Sequence, residues 1–356
     1  MMKRFFGMCV LSLFYSANAA AEFTQVITPE QLASAERTAI TDSGRVFVIG
    51  VFPDDADSLH GVLAEIVRSD RGHELRSYVR GNLEGTVDGR VGGAPAGDAC
   101  GFSGMTRFRN VVYAACYSTD GRTSLIAVDT EKDTVRAGYF TSCNDEPSVL
   151  PCTQTLNVYP NGMSVDAEGR IYYTNMFAHL NVAEGQLNID TSGTGTLHQV
   201  TVEDARESGP TLTFKRRPWF GAGILRDSYV PNGVQIEGSS LFYAAGPNIN
   251  RIEIEQDGRA GAVRTYYVGA PLSYIDDFAV KDGELLISQL LLTQAVVRAT
   301  PGPNGVLALP SGSEPLELMT APSSVTNVPE GNTVFPQGGA LVTSWVGGGV
   351  YLLKGL

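Results

Sequence analysis

Pro160–Tyr173, PNGMSVDAEGRIYY, is the stretch that decides the fold, because it recurs at Pro231–Tyr243 as PNGVQIEGSSLFY. In both copies a partly apolar run follows Pro-Asn-Gly, and a turn rich in Asp, Glu, Gly or Ser interrupts it. A second run of β-branched, aromatic or leucine residues then begins. Runs of this kind separated by turn residues are typical of antiparallel strands. The repeat therefore predicts one recurring β-sheet unit.

Four weaker copies align with the same template at the position of the asparagine. We call the six aligned positions the register residues: Glu36, Ser103, Asn161, Asn232, Asp276 and Ser323. The intervals between them are 67, 58, 71, 44 and 47 residues. Repeats of about 40 to 50 residues with several short strands are typical of propeller blades. Six copies predict an all-β fold, a six-bladed β-propeller with four-stranded antiparallel blades, as a single domain over residues 22–356.

Composition agrees with this fold and limits the partners. A chain of 356 residues suits a repeat architecture that grows by adding units, and its 40 glycines and 18 prolines fit many tight turns. The hydrophobic fraction of 43% is sufficient for a packed core. A formal net charge of −12 argues against nucleic acid or an anionic membrane surface as partner. No apolar run after the N-terminus is long enough to insert into a membrane.

The first residues have the pattern of a signal peptide. Lys3 and Arg4 precede the apolar run Phe5–Tyr15, and Ala17–Ala19 supplies the small residues of a cleavage site. We therefore expect residues 1–21 to be removed, with cleavage near Ala19 to Ala21. The mature protein is then expected to be secreted or periplasmic.

Four cysteines remain after that cleavage: Cys100, Cys116, Cys143 and Cys152. An even number in an exported chain predicts two disulfides, although four cysteines allow three connectivities. Loop length alone favours the pairs Cys100–Cys116 and Cys143–Cys152. Oxidised cysteines cannot act as thiolate nucleophiles or zinc ligands, which excludes these two kinds of site.

About 25 residues more than a standard blade separate Asn161 from Asn232, and they fall roughly between Phe177 and Tyr229. This insertion includes the basic run Lys215–Arg217 and the pair Trp219–Phe220. A long insertion of this kind is either a lid over the central pocket or a solvated, elaborated hairpin. The sequence does not decide between the two.

Four of the register residues carry strong oxygen ligands: Glu36, Asn161, Asn232 and Asp276. Residues at one register of a propeller are expected to surround its central channel. Carboxylate and amide oxygens suit the hard ion Ca²⁺, which takes six to eight oxygens, whereas zinc and copper prefer nitrogen or sulfur. Pro-Asn-Gly is also a common turn, so in the alternative interpretation Asn161 and Asn232 only cap inner strands.

These motifs resemble the calcium-dependent six-bladed propellers that include the regucalcin/gluconolactonase-like lactonases and the paraoxonases. The resemblance is carried by the Pro-Asn-Gly copies at Asn161 and Asn232, by Asp276 one repeat later and by Glu36 in the first blade. It implies that these four residues hold a catalytic Ca²⁺, with Asp277 as a weaker ligand candidate. It also implies hydrolysis of a small-molecule lactone or related ester, an activity of the lactonase/esterase type.

The resemblance further suggests catalytic and substrate-binding residues. Asp276, or its neighbour Asp277, is the candidate base that orients or deprotonates the attacking water. Paraoxonases carry a histidine at the register position of the second blade, where this chain has Ser103. A paraoxonase-type histidine mechanism is therefore not expected, and Ser103, Ser323 and His179 are candidate substrate-binding residues.

Two other functions are compatible with the same sequence. One is a propeller without enzymatic activity that binds a small ligand or a protein and holds a structural metal. The other resembles strictosidine synthase, a propeller that performs a condensation without a catalytic metal. The ring of carboxylates and amides argues against the second alternative.

Overall fold

The protein is described by a computed structural model that covers residues 22–53, 61–80, 100–118, 123–140, 160–175, 179–183, 186–190, 196–203, 212–220, 231–271, 273–290, 294–301, 306–308 and 316–355. The expected signal peptide and the cysteines at 143 and 152 lie outside these residues, so export stays a prediction. None of the segments just named forms a helix long and apolar enough to cross a lipid bilayer.

Strands account for the regular structure of the first half of the chain. They are β1 (Glu22–Ile27), β2 (Ser34–Ile40), β3 (Val46–Val51), β4 (Gly61–Ser69), β5 (Gly72–Arg80), β6 (Cys100–Phe108), β7 (Val111–Ser118), β8 (Thr123–Asp129), β9 (Thr134–Tyr139), β10 (Pro160–Val165), β11 (Ile171–Asn175), β12 (His179–Ala183), β13 (Gln186–Asp190), β14 (Thr196–Val202) and β15 (Phe214–Phe220).

The second half continues in the same way. Its strands are β16 (Pro231–Glu237), β17 (Ser240–Ala245), β18 (Asn248–Ile254), β19 (Ala260–Val268), β20 (Ile275–Lys281), β21 (Glu284–Gln289), β22 (Ala295–Pro301), β23 (Leu307–Ala308), β24 (Glu317–Leu318), β25 (Pro322–Val328), β26 (Gly339–Ser344) and β27 (Val350–Lys354).

These strands form six four-stranded antiparallel blades, which confirms the predicted fold class. In order from the channel outward the blades are β2-β3-β4-β5, β6-β7-β8-β9, β10-β11-β14-β15, β16-β17-β18-β19, β20-β21-β22-β23 and β25-β26-β27-β1. Each innermost strand contacts the next one, and β25 contacts β2, so the blades close into a ring. The closing strand is β1, which pairs with β27 from Glu22↔Lys354 onward.

One hydrophobic cluster fills each of the six spaces between neighbouring blades. The reason is visible in β3, where Val46 and Val48 pack toward blade six while Phe47 and Ile49 pack toward blade two. Successive side chains of a strand point to opposite faces, and both faces of a blade are covered by other blades. The second strands therefore read as continuous apolar runs, and a single blade would leave both of its faces in water.

The insertion lies within blade three and differs from the prediction. Residues 196–202 and 214–220 are β14 and β15, the two outer strands of that blade. Trp219 is buried against Tyr172, with ring centroids 4.9 Å apart, and its indole Nε1 donates to Gly258 O. The lid interpretation is thus wrong for the basic run and for Trp219–Phe220. The inserted element among the described residues is the hairpin β12–β13, between β11 and β14.

The cysteine pairing stays a prediction. Cys116 is buried on β7 and takes part in a disulfide, but no partner can be named among the described side chains. The backbone places Cys100 at the start of β6, where it pairs with Ser118, and Phe102 pairs with Cys116.

Candidate functional site

The register residues all lie in β-bulges near the start of the six innermost strands. The pairing of β2 with β3 shifts between Ala35 and Arg37, and the pairing of β6 with β7 shifts between Phe102 and Gly104. The other four innermost strands each carry two unpaired residues there: 161–162, 232–233, 276–277 and 323–324. A bulge interrupts the ladder and re-aims side chains, and bulges are frequent beside functional sites. We call this level of the channel the ring.

Glycine after the register residue allows neighbouring blades to approach closely. A Cβ built on Gly104 would lie 2.4 Å from Asn161 O, and one on Gly162 would lie 2.3 Å from Asn232 O. A Cβ on Gly233 would lie 2.5 Å from Asp277 Oδ1. In blades two, three and four the glycine after the register residue is therefore a packing requirement, since a Cβ there would clash with the next blade. The other three blades carry Arg37, Asp277 and Ser324 at this place.

A hydroxyl group fixes the bulge in three of the blades. Thr343 Oγ1 accepts from Ser324 N at 2.9 Å and donates to Glu36 O of the next blade at 3.0 Å. Equivalent pairs of bonds are formed by Thr174, with Gly162 N and Asn232 O, and by Ser288, with Asp277 N and Ser323 O. Each hydroxyl satisfies a backbone N–H that the bulge removes from the ladder. The register carbonyls are thereby held by the preceding blade.

Asn232 and Asp276 form the centre of the site. Both are buried, and Asn232 Nδ2 donates to Asp276 Oδ1. Asn232 Oδ1 is buried without any hydrogen-bond partner. Most buried amide oxygens are paired, so an unpartnered one requires an explanation. A cation bound at this oxygen would provide one.

Asp277 forms an ion pair with the buried guanidinium of Arg37. Arg37 Nη2 lies 3.4 Å from Asp277 Oδ1 and donates to Val234 O at 3.2 Å. Arg37 belongs to blade one, whereas Val234 belongs to blade four, which lies opposite in a ring of six. The Arg37 side chain therefore crosses the axis directly below the ring.

The carboxyl groups of the ring are electrostatically coupled. Burial and the neighbouring Asp277 raise the pKa of Asp276 to about 7, against the opposing effects of Asn232 and Arg37. Burial raises the pKa of Asp277 to about 6, while Arg37 favours its charged form. Glu36 keeps some exposure, yet burial of its carboxyl group and the Asp276 carboxylate raise its pKa well above the usual value. The carboxyl groups of Glu36 and Asp276, from opposite halves of the sequence, thus repel each other when both are charged.

The predicted substrate-binding residues occupy different settings. The Ser103 hydroxyl donates to Pro160 O, and the Ser323 hydroxyl donates to Ala35 O at 2.7 Å. Both serines are buried and connect their blade to the next one. Asn161 is buried in its bulge beside Ser103. His179 starts strand β12 of the inserted hairpin, and its side chain is not among those described.

Sequence reasoning missed Arg37 and Tyr274. Arg37 follows Glu36 in a strand that is otherwise apolar or small beyond the ring, and an isolated cation at that place was the available signal. Tyr274 precedes β20, and burial together with the Asp276 carboxylate raises its pKa. Nothing in the local sequence distinguishes this tyrosine from the 13 others.

The donor set fits a hard cation. Within the described part of the chain, no three His, Cys, Asp or Glu side chains form a metal-binding cluster, so any ion must also use the amides. Glu36 and Asp276 form no ion pair with the described cationic side chains, and Arg37 reaches only Asp277. Three carboxylates and one guanidinium carry a formal charge of −2 when all are ionised. A divalent cation would neutralise that charge and satisfy Asn232 Oδ1.

No family model matches the sequence, and no curated protein matches it. Solved structures do match. A proposed gluconolactonase has a TM-score of 0.53 at 12% identity, over 94% of this chain and 92% of that one. A protein of unknown function from Bacteroides thetaiotaomicron VPI-5482 has a TM-score of 0.51 at 10% identity, over 94% and 76%. Streptogramin B lyase has a TM-score of 0.48 at 11% identity, over 94% and 97%.

At such low identities these likenesses show the fold alone. The two with TM-scores above 0.5 agree with the fold derived above.

Proposed function

We propose that this protein is a Ca²⁺-dependent hydrolase of lactones or related esters, exported from the cytoplasm, with its site at the ring. The observation that carries the proposal is the acidic centre of the ring. Glu36 and Asp276 form no ion pair with a described residue, Arg37 acts on them only without direct contact, and Asn232 Oδ1 beside them is unpartnered. An acidic, buried site of oxygen donors is what a hard divalent cation requires. A similar solved structure is named as a proposed gluconolactonase, and lactone hydrolysis is the chemistry of that class of enzyme.

Glu36, Asn161, Asn232 and Asp276 would hold the ion. When bound, Ca²⁺ would polarise the substrate carbonyl and stabilise the oxyanion. The bulges aim these side chains from four blades, and the bonds of Thr174 and Thr343 to the register carbonyls keep them in place. A preorganised set of this kind avoids reorganisation during the reaction.

Asp276 is the residue we assign to orienting and deprotonating the attacking water. Its neighbour Asp277 is turned to Arg37, and that ion pair lies across the channel beneath the ring. Water and substrate would therefore approach from the ring side. Asp277 positions Arg37 in this scheme.

The test combines metal analysis with a broad panel of lactones and aryl esters. We expect purified protein to contain calcium in equimolar amount, chelation to abolish hydrolysis, and added calcium to restore it. Asp276→Asn should lower kcat/KM by at least about 100-fold, or about 2.7 kcal/mol. Asp282→Asn is the matched control, because Asp282 is exposed in the β20–β21 turn, where its positive φ of 53° suits asparagine.

Hydrolysis that continues unchanged after chelation would refute the proposal. A fall in melting temperature on chelation, with no turnover of any panel member, would instead indicate a binding propeller with a structural metal. Protein that contains no metal yet remains folded would favour the propellers that act without one.

A further inference from the structure

The channel widens on the other side of Arg37 into a cavity of about 710 Å³. All six blades line it, with residues that follow the ring along each innermost strand. None of the register residues takes part in the lining. This volume is within the usual range for pockets that bind small molecules, roughly 300–1,000 Å³. We call it the channel cavity.

Arg37 forms the inner end of the channel cavity. Its Nη2 atom donates a hydrogen bond to Val234 O and forms the ion pair with Asp277 Oδ1. Its Nε and Nη1 atoms form no hydrogen bond with the described residues, and they are not sealed off from solvent. A guanidinium has five N–H groups in a planar fork that matches a carboxylate. The edge that faces away from Asp277 is therefore available to a ligand.

The walls of the channel cavity combine hydrogen-bond donors with apolar side chains. Thr38, next to Arg37, is buried, and its Oγ1 atom has no hydrogen-bond partner. Met105, Met163 and Ile236 provide apolar surface around the same space. A ligand that fits these walls has one polar end and a short apolar body.

The charged side chains that line the mouth of the channel cavity balance each other, with Arg107 and Arg109 against Asp42 and Asp166. Asp42 is paired with Arg107 and Asp166 with Arg170, which leaves Arg109 without an ion pair to any described residue. Arg109 lies in the turn between β6 and β7 and has a φ of 55°. In a protein with a net charge of −12, a neutral mouth with Arg37 at the inner end repels an anion less than the acidic ring does.

We propose that the channel cavity is a second ligand site, separate from the ring, that binds a small organic monocarboxylate. Arg37 binds the carboxylate through its free edge, and the methionines and Ile236 contact the aliphatic chain. A monocarboxylate is favoured over phosphate, because a second negative charge would lie close to Asp277.

Isothermal titration calorimetry of the purified full chain with hexanoate, hexan-1-ol and inorganic phosphate tests this site. We expect hexanoate to bind in the micromolar to low millimolar range, and at least about tenfold more tightly than either of the others. Chelation of calcium should leave hexanoate binding unchanged, because the ring does not line the cavity. Hexanol or phosphate binding as tightly as hexanoate would overturn the proposal, and so would no binding of hexanoate.

Variants locate the binding. Arg37→Gln should weaken hexanoate at least about tenfold, whereas Arg68→Gln, at an exposed arginine of β4, should not change it. Arg109→Gly, which suits the positive φ and avoids the buried ion pair, should weaken hexanoate about threefold without affecting hexanol. If Arg37→Gln does not fold, Arg109→Gly decides alone. The assignment would be overturned if hexanoate affinity were unchanged in Arg109→Gly and also in Arg37→Gln, where that variant folds.

Discussion

The two ends of the axial channel are built from the same six strands, yet they differ in backbone and in charge. At the ring every innermost strand carries a bulge, and Glu36, Asp276 and Asp277 concentrate negative charge there. Beyond Arg37 strand pairing is regular, and the lining combines apolar side chains with arginine. The bulges mark the level of the channel at which side chains are re-aimed, and the acidic residues lie at that level.

Arg37 separates these two ends, and its removal should have the largest effect on stability. Arg37→Met leaves Asp277 buried without its partner, which should lower the free energy of unfolding by about 3–5 kcal/mol. The control is the double variant Arg37→Met with Asp277→Asn, which removes both charges and should recover much of this loss. Urea unfolding of the metal-free protein measures both, and equal losses in the single and double variants would show that the ion pair is unimportant.

Gly162 tests whether close blade contact shapes the ring. Gly162→Ala places a Cβ against the backbone at Asn232, which must shift, so unfolding free energy should fall by about 1–3 kcal/mol. Calcium affinity should fall with it, because Asn232 moves. Gly261→Ala on β19 is the control away from the channel, and thermal unfolding with and without calcium compares them. Unchanged calcium affinity in a folded Gly162→Ala protein would contradict the expected coupling.

Thr343 tests the bonds that hold the bulges. Thr343→Val should cost about 1–2 kcal/mol, because Ser324 N and Glu36 O lose their partner, whereas Thr343→Ser retains the hydroxyl and should cost less. Hydrogen exchange of the Ser324 amide reports the local effect. If that amide exchanges equally slowly in the valine variant, the hydroxyl does not protect the bulge.

Ser103→Ala should have the smallest effect on stability of these substitutions. It also distinguishes a structural role of Ser103 from a role in substrate binding. Its hydroxyl donates to Pro160 O, so Ser103→Ala should lower the unfolding free energy by about 1 kcal/mol and leave KM unchanged. Denaturation together with steady-state kinetics on the best panel substrate measures both quantities. A raised KM at unchanged stability would instead assign Ser103 to substrate binding.

Much of the fold was readable from local sequence. The copies at Asn161 and Asn232 have the same run-turn-run pattern because each strand pair is closed by its own turn, and such pairs recur six times. The closure by β1 was not readable, since pairing of Glu22 with Lys354 joins the two ends of the described chain. The assignment of Trp219 to an insertion failed for a related reason. Its strand, β15, pairs with β14, and β14 pairs with β11 across the length of the inserted hairpin.

The candidate site was likewise predictable from the sequence only in part. The register positions of Glu36 and Asp276 followed from the repeat, and the structure places both in bulges at one level of the channel. Whether they hold an ion together stays a prediction. The alternation of side chains along a strand predicts that Asp276 and Asp277 point to opposite faces. It does not predict that Asp277 pairs with Arg37.

The sequence by itself determined the number of blades, the position of an oxygen-rich register and the turns, because strand periodicity and turn chemistry act over a few residues. Tertiary structure alone decided that Arg37 crosses the axis to Asp277 and Val234, that Asn232 Oδ1 stays unpartnered, and that a cavity opens beyond them. These features depend on backbone bulges and on contacts between opposite blades. Such contacts form only once the six blades have closed into the propeller.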